Sequence, residues 1–114
     1  MRYAALAVIS IFAFCSAALA DDLTKLEVTI RDHRFEPVEL HVPAGKPSLL
    51  TVHNADPSPE EFESSALKVE KVIPGGSTVT IRLRPLGPGR FSFIGDYHSD
   101  TAHGVIIAVD GGHP

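Results

Sequence analysis

Residues 91–109 read Phe91-Ser92-Phe93-Ile94-Gly95-Asp96-Tyr97-His98-Ser99-Asp100-Thr101-Ala102-His103-Gly104-Val105-Ile106-Ile107-Ala108-Val109. Two apolar runs flank a polar loop, Gly95 to Gly104. Phe91-Ser92-Phe93 alternates as a strand with one wet face does, and Val105 to Val109 is continuous, as a strand buried on both faces would be. The loop carries two Asp and two His within eight residues, Asp96 to His103. Imidazole and carboxylate are ligands for Cu(II), Zn(II) and Fe(II), and a five-residue offset across a hairpin loop lets His98 and His103 converge on one point. A solvated hairpin tip with incidental histidines is the competing reading of the same residues.

The same period-two pattern extends outward along the chain. Leu26, Val28 and Ile30 alternate with Glu27, Thr29 and Arg31. Val38, Leu40 and Val42 alternate with Glu39 and His41. Leu50 and Val52 alternate with Thr51 and His53, and Val79, Ile81 and Leu83 with Thr80 and Arg82. Turn chemistry separates the runs at Pro43-Ala44-Gly45, Pro74-Gly75-Gly76 and Pro85 to Gly89. No stretch sustains a 3.6-residue period, and at most one helical turn is expected within 64–71. The expectation is an all-β domain, an antiparallel sandwich or barrel of about seven to eight strands.

The amino terminus reads differently. Met1-Arg2-Tyr3 is a basic start, Ala4 to Phe14 is apolar, and Ala18-Leu19-Ala20 precedes Asp21-Asp22. That is the pattern of a cleaved secretory signal peptide over 1–20, leaving a domain over 21–114. The apolar run falls short of the ~20 residues that cross a bilayer. Export across the inner membrane to the periplasm follows, where no ATP is supplied. The 94 residues after position 20 hold nine Lys plus Arg against fourteen Asp plus Glu, all six His, and neither Cys nor Met. A disulfide scaffold, a thiolate site and a thioether ligand are thereby excluded from the exported domain. The negative balance argues against nucleic acid, whose phosphates need a basic patch. No Gly-x-Ser-x-Gly elbow and no His-Glu-x-x-His helix support a hydrolase.

A second polar stretch, Asn54 to Glu63, holds Glu60, Glu61 and Glu63. These carboxylates fit a charged, soluble strand edge; close together they repel, and a cation beside them would relieve that.

The ordered landmarks Phe35-Glu36-Pro37, Val42-Pro43-Ala44-Gly45, Val52-His53-Asn54, Glu61-Phe62-Glu63-Ser64, Pro88-Gly89-Arg90-Phe91-Ser92-Phe93 and Tyr97-His98 before Gly104-Val105 resemble the small cupredoxin-like proteins that accompany bacterial iron permeases. The similarity covers roughly residues 24–109 and implies a Greek-key cupredoxin-like sandwich. It puts His98 at the loop-histidine position, Gly95 where such proteins carry Cys, and His103 near the axial Met. The first-histidine position falls on Glu60 or Glu61: alternation with Phe62 turns Glu60 inward, whereas the match at Glu61-Phe62-Glu63-Ser64 favours Glu61. Asp96, beside the vacant cysteine position, is a further candidate ligand. His33 is either an extra ligand, a donor to a carboxylate, or a surface residue at a strand kink. His41 and His53 face solvent by parity, and Asn54 is expected to tie the two loops together.

The resemblance implies copper, as Cu(II) because no thiolate is present, and iron as substrate or second metal. It implies a membrane iron permease and other periplasmic uptake components as partners, and a role in ferrous-iron oxidation and uptake. Two alternatives stay open: a copper or iron carrier without turnover, and a metal-free β-sandwich interaction domain. A homodimer with metal at its interface also stays open.

Overall fold

The computed structural model describes residues 23–110, with Ser10 alone before them. The signal peptide expected over 1–20 and the tail after Asp110 lie outside the described residues. Nine strands form in chain order: β1 (Thr24–Arg31), β2 (Arg34–Glu36), β3 (Glu39–Pro43), β4 (Ser48–Asn54), β5 (Glu60–Ser64), β6 (Val69–Ile73), β7 (Thr78–Leu83), β8 (Gly89–Gly95) and β9 (His103–Val109). A one-turn 3-10 helix, Asp96–His98, joins β8 towards β9. The first sheet runs β2-β1-β4-β7 and the second β3-β9-β8-β5-β6. β1 pairs parallel with β4 and β3 parallel with β9, while the remaining pairs are antiparallel.

The two sheets close face to face because each strand turns one parity inward. Leu26, Val28 and Ile30 of β1, Leu50 and Val52 of β4, Phe62 of β5, Phe93 of β8 and Ile106 of β9 are buried. Phe35, Phe62 and Phe93 form the centre: Phe62 stacks on Phe93 at 4.7 Å between centroids, and Phe35 meets Phe93 edge-on at 4.8 Å. Such contacts add about 0.5–1.5 kcal/mol beyond area burial.

The all-β sandwich is as the alternation requires, with corrections. Nine strands form rather than seven or eight. The helical turn allowed within 64–71 is a plain turn at 65–68 followed by β6. Lys68 adopts a positive φ of 59° there, which stops helical continuation. Val38, expected inward, is 61 % exposed because β3 begins only at Glu39. In β9 only Ile106 and Ala108 are buried, and Val105 and Ile107 are half-buried on an uncovered outer face. β2, β5 and β6 are short or charge-rich, and alternation alone does not mark them.

Replacing Phe93 by Ala removes the ring that touches both other phenylalanines. The expected loss is about 3–5 kcal/mol in urea denaturation; a loss under about 1 kcal/mol would show that this trio is not the centre of the core.

Candidate metal centre

The inward stripes of two strands end in polar residues at one pole of the sandwich. On β4 the series Leu50, Val52 ends at Asn54, and on β5 the series Ser64, Phe62 ends at Glu60. Glu60 is 1 % exposed. An isolated buried carboxylate is costly, so its partners matter. The N–H groups of Glu61 and Tyr97 donate to its Oε1 at 3.0 and 2.8 Å. Its Oε2 lies 2.6 Å from His98 Nδ1, a short hydrogen bond. The His98 ring is stacked on that of His33, with centroids 3.5 Å apart and planes 11° from parallel.

The room for this carboxylate comes from Gly95. A Cβ at residue 95 would lie 2.6 Å from Glu60 Cδ, 2.7 Å from its Oε2 and 2.8 Å from Ala102 Cβ. The Glu60 head group therefore fills the cradle that any larger residue at 95 would claim.

His33 sits in a two-residue hairpin between β1 and β2. Asp32 and His33 both have positive φ, 54° and 59°. The Asp56 carboxylate accepts both backbone N–H groups, Asp32 N on Oδ1 at 2.8 Å and His33 N on Oδ2 at 3.0 Å. Burial pushes the Asp56 carboxyl up, but those two N–H bonds and the nearby His33 and His98 rings outweigh it, so its pKa lies below the ordinary value. Asn54 holds the loop behind: its Nδ2 donates to the carbonyls of Ser58 and Ile73, and its Oδ1 accepts from Asp56 N. Asn54 thus ties the 54–60 loop to the turn after β6.

The opposite parity of β5 points outward. One oxygen each of Glu61, Glu63 and Glu70 lie within 4.8 Å of one another. Glu63 and Glu70 are cross-strand partners. Burial, then the charges of Glu70, Asp96 and Glu63, raise the Glu61 pKa; the charge of Asp96, then burial and Glu70, raise that of Glu63.

Of the six residues singled out as ligands, Glu60, His98 and His33 are brought together at the pole. Glu61 and Asp96 are placed in the outward acidic group. His103 begins β9 opposite Ile94 and is exposed on the outer face, lining a shallow groove with Val38, Glu39 and Arg90. Asp100 is exposed in the loop after His98. His41 and His53 stand on outer faces beside Glu39 and Glu27, as parity requires. Sequence reasoning gave no role to Asp56 or Glu70. Asp56 acts on residues 23 and 24 positions away, and Glu70 enters only through the β5–β6 register.

The donor set tests which metal would fit. One carboxylate and two imidazoles, with no sulfur, suit Cu(II) or Zn(II) and not a thiolate-bound blue-copper centre. Glu60 and His98 are the adjoining donors of this pole that would hold it; the His33 ring, stacked parallel on His98, does not aim a nitrogen at the same point, and among the described residues three donor atoms come within 4.8 Å of one another at Glu61, Glu63 and Glu70.

A family model described as cupredoxin-like domain matches residues 4–108. An uncharacterized protein of Rickettsia prowazekii (strain Madrid E) is 42 % identical over 90 residues, covering 79 % of this chain and 72 % of the relative. Among solved structures, the metal-binding domain of the Cu(I)-exporting P-type ATPase CopA of Streptococcus pneumoniae D39 superposes with a TM-score of 0.67 at 22 % identity, over 78 % of this chain and 88 % of that one. Auracyanin A, a blue copper protein of Chloroflexus aurantiacus, gives 0.65 at 14 % identity, over 75 % and 98 %.

Two outcomes are expected. Gly95→Ala overpacks the pole, costing about 1–3 kcal/mol in denaturant unfolding, and drives Glu60 from His98, so Cu(II) titration should show binding lost; unchanged binding would mean the cradle is not needed. Glu70→Gln should raise the melting temperature of the metal-free protein at pH 7 in low salt. A raised carboxylate pKa means the folded state binds more protons than the unfolded one, so stability falls as pH rises through that range. The gain should therefore fade in acid, and also at high salt, where screening shortens the repulsion.

Proposed function

The chain belongs to the cupredoxin-like domain family, and from that premise we propose that it is a periplasmic copper-binding protein that assists ferrous-iron oxidation and delivery to a membrane iron permease. The observation that carries the copper part is the buried Glu60 carboxylate held 2.6 Å from His98 Nδ1 in the space beside Gly95. Carboxylate and imidazole are harder donors than thiolate and favour Cu(II) over Cu(I). The copper proteins among its structural neighbours support the same metal.

Glu60 and His98 would have to be deprotonated at the atoms that hold a metal. Tyr97 and Glu61 keep Glu60 aimed through their N–H groups, and their hydrogen bonds to the carboxylate limit its reorganisation. A Cu(II) ion held there would supply a one-electron acceptor for Fe(II), copper being reduced to Cu(I) as iron is oxidised to Fe(III). Iron is the substrate in this reading. Glu61, Glu63, Glu70 and Asp96 offer it hard oxygen donors. Glu61 is joined to the copper-binding carboxylate by its own backbone N–H. The iron role and the permease rest on the resemblance of residues 24–109 and on this acidic group.

Anaerobic addition of Fe(II) to the Cu(II)-loaded protein tests the reading. The Cu(II) spectroscopic signal should disappear, one equivalent of copper reduced per iron oxidised. Glu60→Gln should abolish copper uptake, whereas Glu61→Gln with Glu63→Gln should keep copper and slow its reduction at least tenfold, a barrier increase of about 1.4 kcal/mol. Stoichiometric binding with no reduction above the free-ion background would leave a carrier without turnover. A melt indifferent to Cu(II), where saturation at 100 times the dissociation constant should add about 2.7 kcal/mol, would leave a metal-free interaction domain.

A further inference from the structure

We propose that the open edge of β7 is where two copies of this chain join, each adding the other's β7 as a further strand so that one continuous sheet runs through both. Copper plays no part in this contact. β7 closes one side of the first sheet and pairs only with β4. The backbone bond from Asn54 N to Ser77 O, 2.8 Å long, fixes which way its groups point. In an antiparallel ladder, pairs that exchange hydrogen bonds alternate with pairs that exchange none and bring their side chains closer. Asn54 with Ser77 is of the first kind, so His53 with Thr78, Thr51 with Thr80 and Leu49 with Arg82 are of the second. The side chains agree: His53 Nδ1 lies 3.0 Å from Thr78 Oγ1, and the Thr51 and Thr80 hydroxyls are 3.4 Å apart. Thr78, Thr80 and Arg82 therefore turn their N–H and C=O groups away from β4. Among the described residues those groups meet no backbone partner.

An open edge is a template for another strand unless something blunts it. The other three edges are blunted. β2 has only three residues. β3 follows Pro37 and ends at Pro43. β6 carries Lys71 on the inward parity of its partner Phe62, a charge that a neighbouring strand would have to bury. β7 has none of these devices. It holds no proline, its first four residues are β-branched, and its inward positions are Val79, Ile81 and Leu83.

The strand also complements itself. With Thr80 opposite Thr80 of the second copy, Thr78 meets Arg82 of that copy and Arg82 meets its Thr78. All three outward-turned residues then find partners, and Val79 stands opposite Ile81 on the inward face. Centring the pair on Val79 or Ile81 would leave Arg82 or Thr78 without a partner, and a one-residue slip would set apolar positions against the wet face. The charges match as well. The two Arg82 side chains are kept apart, and each enters the lane of the other copy's Thr78 and His53, where Glu27 is held on His53 Nε2 at 3.0 Å. A six-residue strand falls short of the roughly 20–30 residues a side of stable complexes, so the dimer is reversible and depends on concentration.

Sedimentation of the metal-free protein across a concentration series should show monomer giving way to dimer. Hydrogen exchange over the same series should slow at the amides of Thr78, Thr80 and Arg82 as the dimer forms, while those of Val79, Ile81 and Leu83, bonded to β4, stay protected throughout. Thr80→Pro removes an N–H that β4 does not use. It should weaken dimerisation about tenfold or more, because the central pair loses both of its bonds, and should leave the dilute monomer's melting temperature little changed. If Thr80→Pro does not fold, the exchange pattern of the wild-type protein decides. A chain that stays monomeric throughout, or a dimer in which the amides of Thr78, Thr80 and Arg82 exchange as freely as in the monomer, would overturn the proposal. So would a dimer that forms only with Cu(II), which would put the contact at the metal pole.

Discussion

A carboxylate buried at the end of an otherwise apolar stripe is the constraint around which this sandwich is arranged. Glu60 shares the inward register of Phe62 and Ser64, so the pleat that packs the core also drives a charge into it. Leaving that charge unpaired would be expensive. It is relieved by two backbone N–H groups and the His98 imidazole; the Glu61 N–H comes from β5 itself, and the Tyr97 N–H and the His98 ring need the turn 96–98 to fold over β5. Gly95 makes this approach sterically feasible. The pole of the sandwich, the end of β8 and the loop leading to β9 are thus coupled through one side chain.

The two faces of β5 divide the acidic residues into two populations. Inward, Glu60 meets hydrogen-bond donors. Outward, Glu61 and Glu63 meet one another, Glu70 and Asp96, and their pKa values rise because like charges oppose ionisation. Asp56, only four residues before Glu60, shows the reverse: donors converge on it and lower its pKa despite burial. Carboxylates close in sequence therefore take opposite characters, and their strand parity and loop partners decide which. In a copper-and-iron reading the inward group offers a hydrogen-bonded carboxylate–imidazole pair, and the outward group an unrelieved negative field that favours a cation.

Much of this was legible beforehand. Alternation marked five of the nine strands and a continuous apolar run a sixth, and with the turn residues they required an all-β sandwich. The resemblance carried His98, the vacant cysteine position at Gly95, and the choice between Glu60 and Glu61. Parity with Phe62 favoured Glu60 and the match at Glu61-Phe62-Glu63-Ser64 favoured Glu61, so both stayed open until the register of β5 turned Glu60 inward. β5 was read only as a charged strand edge, and β6 escaped notice because Glu70 and Lys71 hide its pattern under charge. His103 illustrates the limit of spacing arguments. Its five-residue offset from His98 permits convergence, but the register of β9 against β8 sends it to the outer face.

From the amino acids alone came the fold class, the lack of sulfur ligands after residue 20 and the hard donor set at the loop, because these depend on residue type and local period. Only the folded chain decided which histidines meet, that Glu70 joins Glu61 and Glu63, and that Asp56 governs the turn at His33. Those relations join residues 7 to 65 positions apart, and no local pattern encodes them. They arise from strand register and from the way two loops and a hairpin pack over one end of the sandwich.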